Sequence, residues 1–197
     1  VLYHGTHGRW DLLLAFSALS KRVTHPTEAD RVRLMHLLRY MNYSKARALY
    51  LRADEMRIHY HADASHLVHM DNGRGHFGAY ISFGKNAPAV WAASSMVKHV
   101  TKSTAETEMS AFSEKLPVAL HMLRFFADMG IELGPIIGHE DNTAAIDLIT
   151  KGKPCSPRTR HLDMRAFWVN QYVENGLLKS SMFQSRLWML SPSPSVA

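Results

Sequence analysis

Arg57-Ile58-His59-Tyr60-His61-Ala62-Asp63-Ala64 decides the fold: it alternates with period two and reads as a central strand with a single acid among small residues. Asp63 is the residue that needs a reason. A carboxylate suits a pleated, half-buried surface poorly unless a cation or hydrogen-bond donors meet it. Three later acids lie in settings that can converge on it: Glu108 on a helix, Asp141 at a strand end and Asp163 in a helix's first turn.

Downstream of this strand, Asp71-Asn72-Gly73-Arg74-Gly75 is a turn that leads into His76 through Phe83, and Asn86-Ala87-Pro88 leads into Ala89 through Ala93. Three consecutive antiparallel strands follow. Ser103 and Glu106 then form a capping box before a long helix. Met109, Phe112, Leu116, Leu120, Leu123 and Phe126 recur along it at three- and four-residue intervals, and Pro117 is expected to kink it. Gly130 stops that helix, Pro135 to Asp141 is a short buried strand, and Asn142 to Ile149 is a helix. A last helix runs from about Thr159 to Asn175, stopped by Gly176. This order argues for a mixed α/β sheet with helices packed on it.

Upstream, strand character is expected from about Leu49. Before it come two helices, one from about Asp11 to Arg22 and one opening at Thr27 with Asp30 three residues on. In the second, Leu34, Leu37, Leu38 and Met41 form an apolar stripe and Arg31, Arg33 and Arg39 lie elsewhere, as in a packed amphipathic helix with a solvated basic face.

The chain has 197 residues, 46% of them hydrophobic, enough for a domain-sized core plus an appendage. Its 23 Lys and Arg against 17 Asp and Glu give +6, a balance that suits a polyanionic partner and many ordinary basic proteins alike. The single cysteine, Cys155, excludes an internal disulfide and a multi-cysteine zinc site and is compatible with a reducing, intracellular compartment. No apolar run approaches the ~20 residues of a membrane span, so no membrane partner is expected. A start at Val1, without Met or a signal-peptide pattern, reads as a piece of something longer.

Singly, Asp141 and Asp163 also read as helix caps, and Glu106 as a capping residue. As a set, four close carboxylates repel by up to ~4 kcal/mol per contacting pair at an effective dielectric of 20, which requires a cation. All-oxygen sites of this kind suit Mg²⁺ or Mn²⁺, and paired ions serve phosphodiester hydrolysis.

Four blocks now line up: Asp63-Ala64-Ser65, Lys102 through Glu108, Glu140-Asp141-Asn142-Thr143-Ala144-Ala145-Ile146, and Arg158 through Arg165. In order and spacing they resemble the ribonuclease H domain of copia-type retrotransposon polyproteins. The resemblance covers about residues 9 to 178. Upstream, Ala15 to Ser20 and Pro26 through Tyr40 are similar to the end of the reverse transcriptase region that precedes this domain. It implies an RNase H-like fold, with three antiparallel strands, then parallel additions, flanked by helices. It also implies catalytic carboxylates at Asp63, Glu108, Asp141 and Asp163 that bind two Mg²⁺, with Mn²⁺ an alternative. Glu108 rather than Glu106 matches, because Met109-Ser110-Ala111-Phe112 follows it. The implied substrate is the RNA strand of an RNA–DNA hybrid, told from DNA by its 2′-hydroxyls and groove shape. The implied partner is the reverse transcriptase portion of the same polyprotein. The rival expectation is an inactive nucleic-acid-binding or structural remnant of a decayed element.

The expected domains are 1–48, the last reverse transcriptase helices; 49–180, the RNase H-like domain; and 181–197, an aberrant tail. Trp10 stands where the family usually has Pro. Lys98, Lys102, Asn142, Arg158, Arg160 and Arg165 flank the acids as possible substrate contacts, with a solvated surface as the alternative for the charged ones, and His161 is the histidine best placed to support Asp163. Thirteen histidines, including His59, His61, His66, His69 and His76, show no compact zinc-type spacing, although His59 and His61 share the face of Asp63. From Ser181 to Ala197 the family pattern is lost. Since Met is only ATG and Trp only TGG, a frame shifted back by one nucleotide reads Val across Met182-Phe183 and Asp across Trp188-Met189. That pattern suggests a frameshift near residue 180 and a tail that packs against nothing.

Overall fold

The Asp63 segment is the middle strand of a five-stranded mixed sheet. β1 (Ile58–His69) pairs antiparallel with β2 (Arg74–Phe83), which pairs antiparallel with β3 (Ala89–Met96). On the other side of β1 come β4 (Ile136–Glu140) and then β5 (Leu178–Met182), both parallel, giving the order β3-β2-β1-β4-β5. This is the expected architecture of three antiparallel strands with parallel additions. The computed structural model describes residues 2–69, 73–98, 100–101, 103–151 and 163–182, the side chains of 2, 67–69 and 163 excepted.

The alternation of β1 builds the core. Ile58, Tyr60 and Ala62 are buried on the face covered by α4 (Thr104–Asp128), where Met109, Phe112, Leu116 and Leu120 supply the helical stripe. The Tyr60 hydroxyl donates to the Phe112 carbonyl at 2.8 Å, so the one polar atom this side chain carries into the core is satisfied. The helix rests on the sheet at two glycines. A Cβ on Gly138 would lie 2.6 Å from the Phe112 ring, and one on Gly75 would lie 2.7 Å from Thr107. These contacts set the height and lean of α4 and with them the position of Glu108. The helix runs through Pro117 as one element and ends in a Schellman arrangement, Gly130 at φ 76° with Ile131 N–H donating to Phe126.

α5 (Thr143–Lys151) follows β4, and α6 (Asp163–Glu174) precedes β5, ending at Gly176 with φ 70°. Ala145, Leu148, Ile149, Ala166 and Val169 join the main core or its edge.

At the N-terminus, α1 (Leu2–Thr6), a 3₁₀ turn (Trp10–Leu12), α2 (Leu13–Ser20) and α3 (Glu28–Tyr43) form a separate apolar cluster of Leu12, Phe16 and Leu37. Thr27 and Asp30 make a complete capping box on α3. Leu34 and Leu38 stay exposed, at 39% and 37%. Trp10 Nε1 donates to the Ala89 carbonyl at 3.3 Å, tying this unit to β3.

Two boundaries differ from the sequence reading. The strand expected from about Leu49 begins at Ile58. Leu49, Tyr50 and Leu51 are exposed, so this apolar stretch has no buried face to hold it in a sheet. The sheet also gains β5, whose Ser181 and Met182 pair with His139 and Glu140, so the chain stays ordered two residues past the expected tail boundary. Only Leu178 of β5 is buried, which leaves little period-two signal to read. Residues 183–197 and Cys155 lie outside the described residues.

Candidate active site

Asp63 lies on β1 opposite Gly78 of β2, Glu108 lies one turn into α4, and Asp141 directly follows β4. One carboxylate oxygen from each falls within 4.8 Å of the others. The sheet accounts for this meeting: β1 and β4 are parallel neighbours in register His61 with His139, so both chains deliver their acids at the same end.

Asp141 is not the cap of α5. That role falls to Asn142, whose Oδ1 accepts the N–H groups of Ala144 at 3.0 Å and Ala145 at 3.2 Å. Nor is Glu108 needed for the start of α4, where Ser103 Oγ accepts the Glu106 N–H. The local structural explanations for both acids therefore fall away. The helix start is further fixed by a hydroxyl-imidazole group in which His66 Nδ1 meets Thr101 at 3.0 Å and Thr107 at 2.9 Å, one residue before Glu108.

Burial and mutual repulsion shape the electrostatics. Glu108 is 7% exposed, and burial, then the charges of Glu140, Asp63 and Asp141, push its carboxyl up to about 9. Asp63 is raised by burial and by Asp141, against an opposing hydrogen bond from the Ala64 N–H. Glu140 is an acid that sequence reasoning passed over as a flank of Asp141. It is 1% exposed, and burial together with Asp141 and Asp63 pushes it up to about 8 despite hydrogen bonds from the Asn142 and Asp141 N–H groups. The signal was present, since an acid in an apolar strand raises the same question as Asp63. Glu108 Oε2 and Glu140 Oε2 are buried with no hydrogen-bond partner among the described residues. Acids crowded this way are incomplete without a positive charge, and oxygen donors at this spacing fit a hard divalent cation.

Asp163 is the first residue of α6, and its side chain lies outside the description. Lys102, Arg158, Arg160 and His161 also lie outside the described residues. Lys98 pairs with Glu114 at 2.7 Å on an exposed surface. Arg165 reaches Ser110 Oγ at 2.6 Å, two residues along α4 from Glu108.

Fold and site together define a mixed α/β protein with a half-buried acidic centre at one end of its central parallel strand pair. The chain is similar to a segment of the retrovirus-related Pol polyprotein from transposon TNT 1-94 of Nicotiana tabacum, 26% identical over 171 residues. The match takes in 87% of this chain and 13% of the relative, so the chain spans about an eighth of that polyprotein's length. The likeness to a retrotransposon polyprotein read from the four sequence blocks thus holds. No family model matches. Among solved structures, RNase H1 of the halophilic archaeon Halobacterium salinarum NRC-1 aligns with TM-score 0.42 and 16% identity over 66% of this chain and 86% of that one. The foamy viral protease-reverse transcriptase in complex with RNA/DNA hybrid aligns with TM-score 0.46 and 16% identity over 87% of this chain and 21% of that one. Among the described residues, no helix is long and apolar enough to cross a membrane.

Proposed function

We propose that this chain is the ribonuclease H part of a retrotransposon polyprotein and hydrolyses the RNA strand of RNA–DNA hybrids. Asp63, Glu108, Asp141 and Asp163 would hold Mg²⁺, or Mn²⁺, at the acidic centre. The observation that carries the reading is the convergence of Asp63, Glu108 and Asp141 from three separate elements onto one point. The four sequence blocks, and the similarity to a Pol polyprotein, support a phosphodiester-cleaving role for such a centre. When bound, divalent cations there supply an activated water and stabilise the leaving oxygen of a phosphodiester. The chain's own residues hold the acids in place: Ala64 N–H orients carboxylates at the β1 end, Asn142 anchors α5 behind Asp141, and Gly75 and Gly138 let α4 approach closely enough for Glu108 to reach. Arg165 and Lys98 would serve as phosphate contacts. Residues 1–48, with their own cluster of Leu12, Phe16 and Leu37, would be the end of the reverse transcriptase region, the partner in the same polyprotein.

A hybrid labelled on each strand in turn tests this. RNA-strand cleavage in Mg²⁺ that stops on addition of EDTA supports the hydrolase. Hybrid binding by the folded chain with both strands left intact would overturn it and leave a nucleic-acid-binding remnant.

A further inference from the structure

Two residues before the acids, on the same two strands, the sheet carries a second cluster of donors. His59 and His61 share one face of β1, and His139 of β4 is the register partner of His61. The three are 6%, 3% and 5% exposed, and one ring nitrogen from each falls within 4.8 Å of the others. Their rings form a ladder across the strands. His61 stacks on Tyr80 and on His139, each at 4.1 Å between centroids, and His139 stacks on His59 at 5.1 Å.

His59 is the oriented member. Its Nε2 bonds the Glu55 carboxylate, which places the proton on that nitrogen and turns the lone pair of Nδ1 inward, 2.8 Å from His139 Nε2. A carboxylate behind an imidazole is the arrangement that fixes tautomer and ring direction in metal-ligating histidines. The bland alternative is a stack of neutral rings serving as a sheet face. It explains the ladder, but it gives no reason for three imidazoles where apolar rings or β-branched side chains would fill the same buried face without polar nitrogens.

We propose that His59, His61 and His139 form a transition-metal site for a borderline-soft divalent ion such as Zn²⁺, separate from the acidic centre and oriented by Glu55. Imidazole nitrogens select this class of ion, whereas Mg²⁺ prefers the oxygen donors beyond them. Donors about 2.0–2.1 Å from a tetrahedral ion lie about 3.3 Å from one another. The ion therefore replaces the His59–His139 hydrogen bond, and the stacked rings, His61 and His139 lying at 10° to one another, turn out of their near-parallel planes so that their lone pairs converge on it. It clips β1 to β4 just before Asp63 and Asp141, and so holds two of the acids in register.

The probe is Zn²⁺ alone, titrated by calorimetry into chelator-treated protein in excess Mg²⁺. One Zn²⁺ per chain is expected, lost in His59→Gln and His139→Gln, weakened about 10–100-fold in Glu55→Gln, and retained in Asp63→Asn. Zinc-edge X-ray absorption on the wild-type protein, which depends on no variant's folding, is expected to show imidazole nitrogens around the ion. Undiminished binding in the histidine variants, loss in Asp63→Asn with retention in the histidine variants, no binding in excess Mg²⁺, or an all-oxygen absorption spectrum would each overturn the proposal.

Discussion

Replacing Glu108 by Gln removes one ionisable carboxyl from the acidic centre while keeping its shape. The Glu108 carboxyl is pushed up from 4.5 to about 9, chiefly by burial and then by Glu140, Asp63 and Asp141. Between those values the folded chain binds a proton that the unfolded chain has released. Stability without a divalent cation therefore falls as pH rises through this window, and is unaffected by Glu108 below about 4.5. At pH 7 the cost spans roughly 2.5 pH units at about 1.4 kcal/mol each, or about 3–4 kcal/mol. Glu108→Gln escapes it, and the melting temperature in EDTA at pH 7 should rise by about 6–12 °C, with the gain vanishing near pH 4. Mg²⁺ should stabilise the wild type and do much less for the variant. Circular-dichroism melts at pH 4, 7 and 8, with EDTA or Mg²⁺, read this directly. A variant no more stable than wild type at pH 8 in EDTA refutes the repulsive centre.

Glu140→Gln should give a smaller gain in the same assay, absent below 4.5, growing as pH rises to about 8 and level above it, because Glu140 already accepts backbone hydrogen bonds. Gly138→Ala pushes a methyl group to 2.6 Å from the Phe112 ring and should destabilise by about 1–3 kcal/mol in urea unfolding, with a matching loss of activity as Glu108 shifts. Tyr60→Phe orphans the Phe112 carbonyl contact and should cost about 1 kcal/mol. Thr27→Ala breaks the α3 capping box at a cost of about 1 kcal/mol, and the loss should appear in the unfolding of the N-terminal helices while hybrid cleavage is spared.

The strands that read clearly were those with one buried face. Ile58, Tyr60 and Ala62 alternate cleanly with His59, His61 and Asp63, and the glycine-bearing turn before His76 marked the passage from β1 to β2. Helix ends were legible wherever a cap carries chemistry, as at Thr27, Ser103, Gly130 and Gly176. β5 was not, because a parallel edge strand such as Leu178-Lys179-Ser180-Ser181-Met182 takes its stability from pairing with β4 rather than from its own pattern. The convergence of Asp63, Glu108 and Asp141 was anticipated residue by residue, helped by family resemblance, while the side chain of Asp163, the fourth acid of that reading, lies outside the described residues. Composition alone could not distinguish Asp141 from a cap, and only the Asn142 hydrogen bonds resolve that. Glu140 was missed because it was read as part of a motif rather than as a buried charge. The histidine cluster was missed for a geometric reason: metal motifs are recognised by linear spacing, and His139 reaches His59 and His61 through parallel strand pairing across 78 residues of chain from His61.

The central claim is that Asp63 belongs to a cation-holding centre that cuts RNA. The most direct measurement compares Mg²⁺-dependent cleavage of a labelled RNA–DNA hybrid by the wild-type chain and by Asp63→Asn, with hybrid affinity measured alongside. The account predicts cleavage by the wild type and none by the variant, whose affinity for the hybrid is equal or greater because a repelling charge is gone. Cleavage by Asp63→Asn within about tenfold of wild type, a difference of only about 1.4 kcal/mol in the barrier, would contradict it.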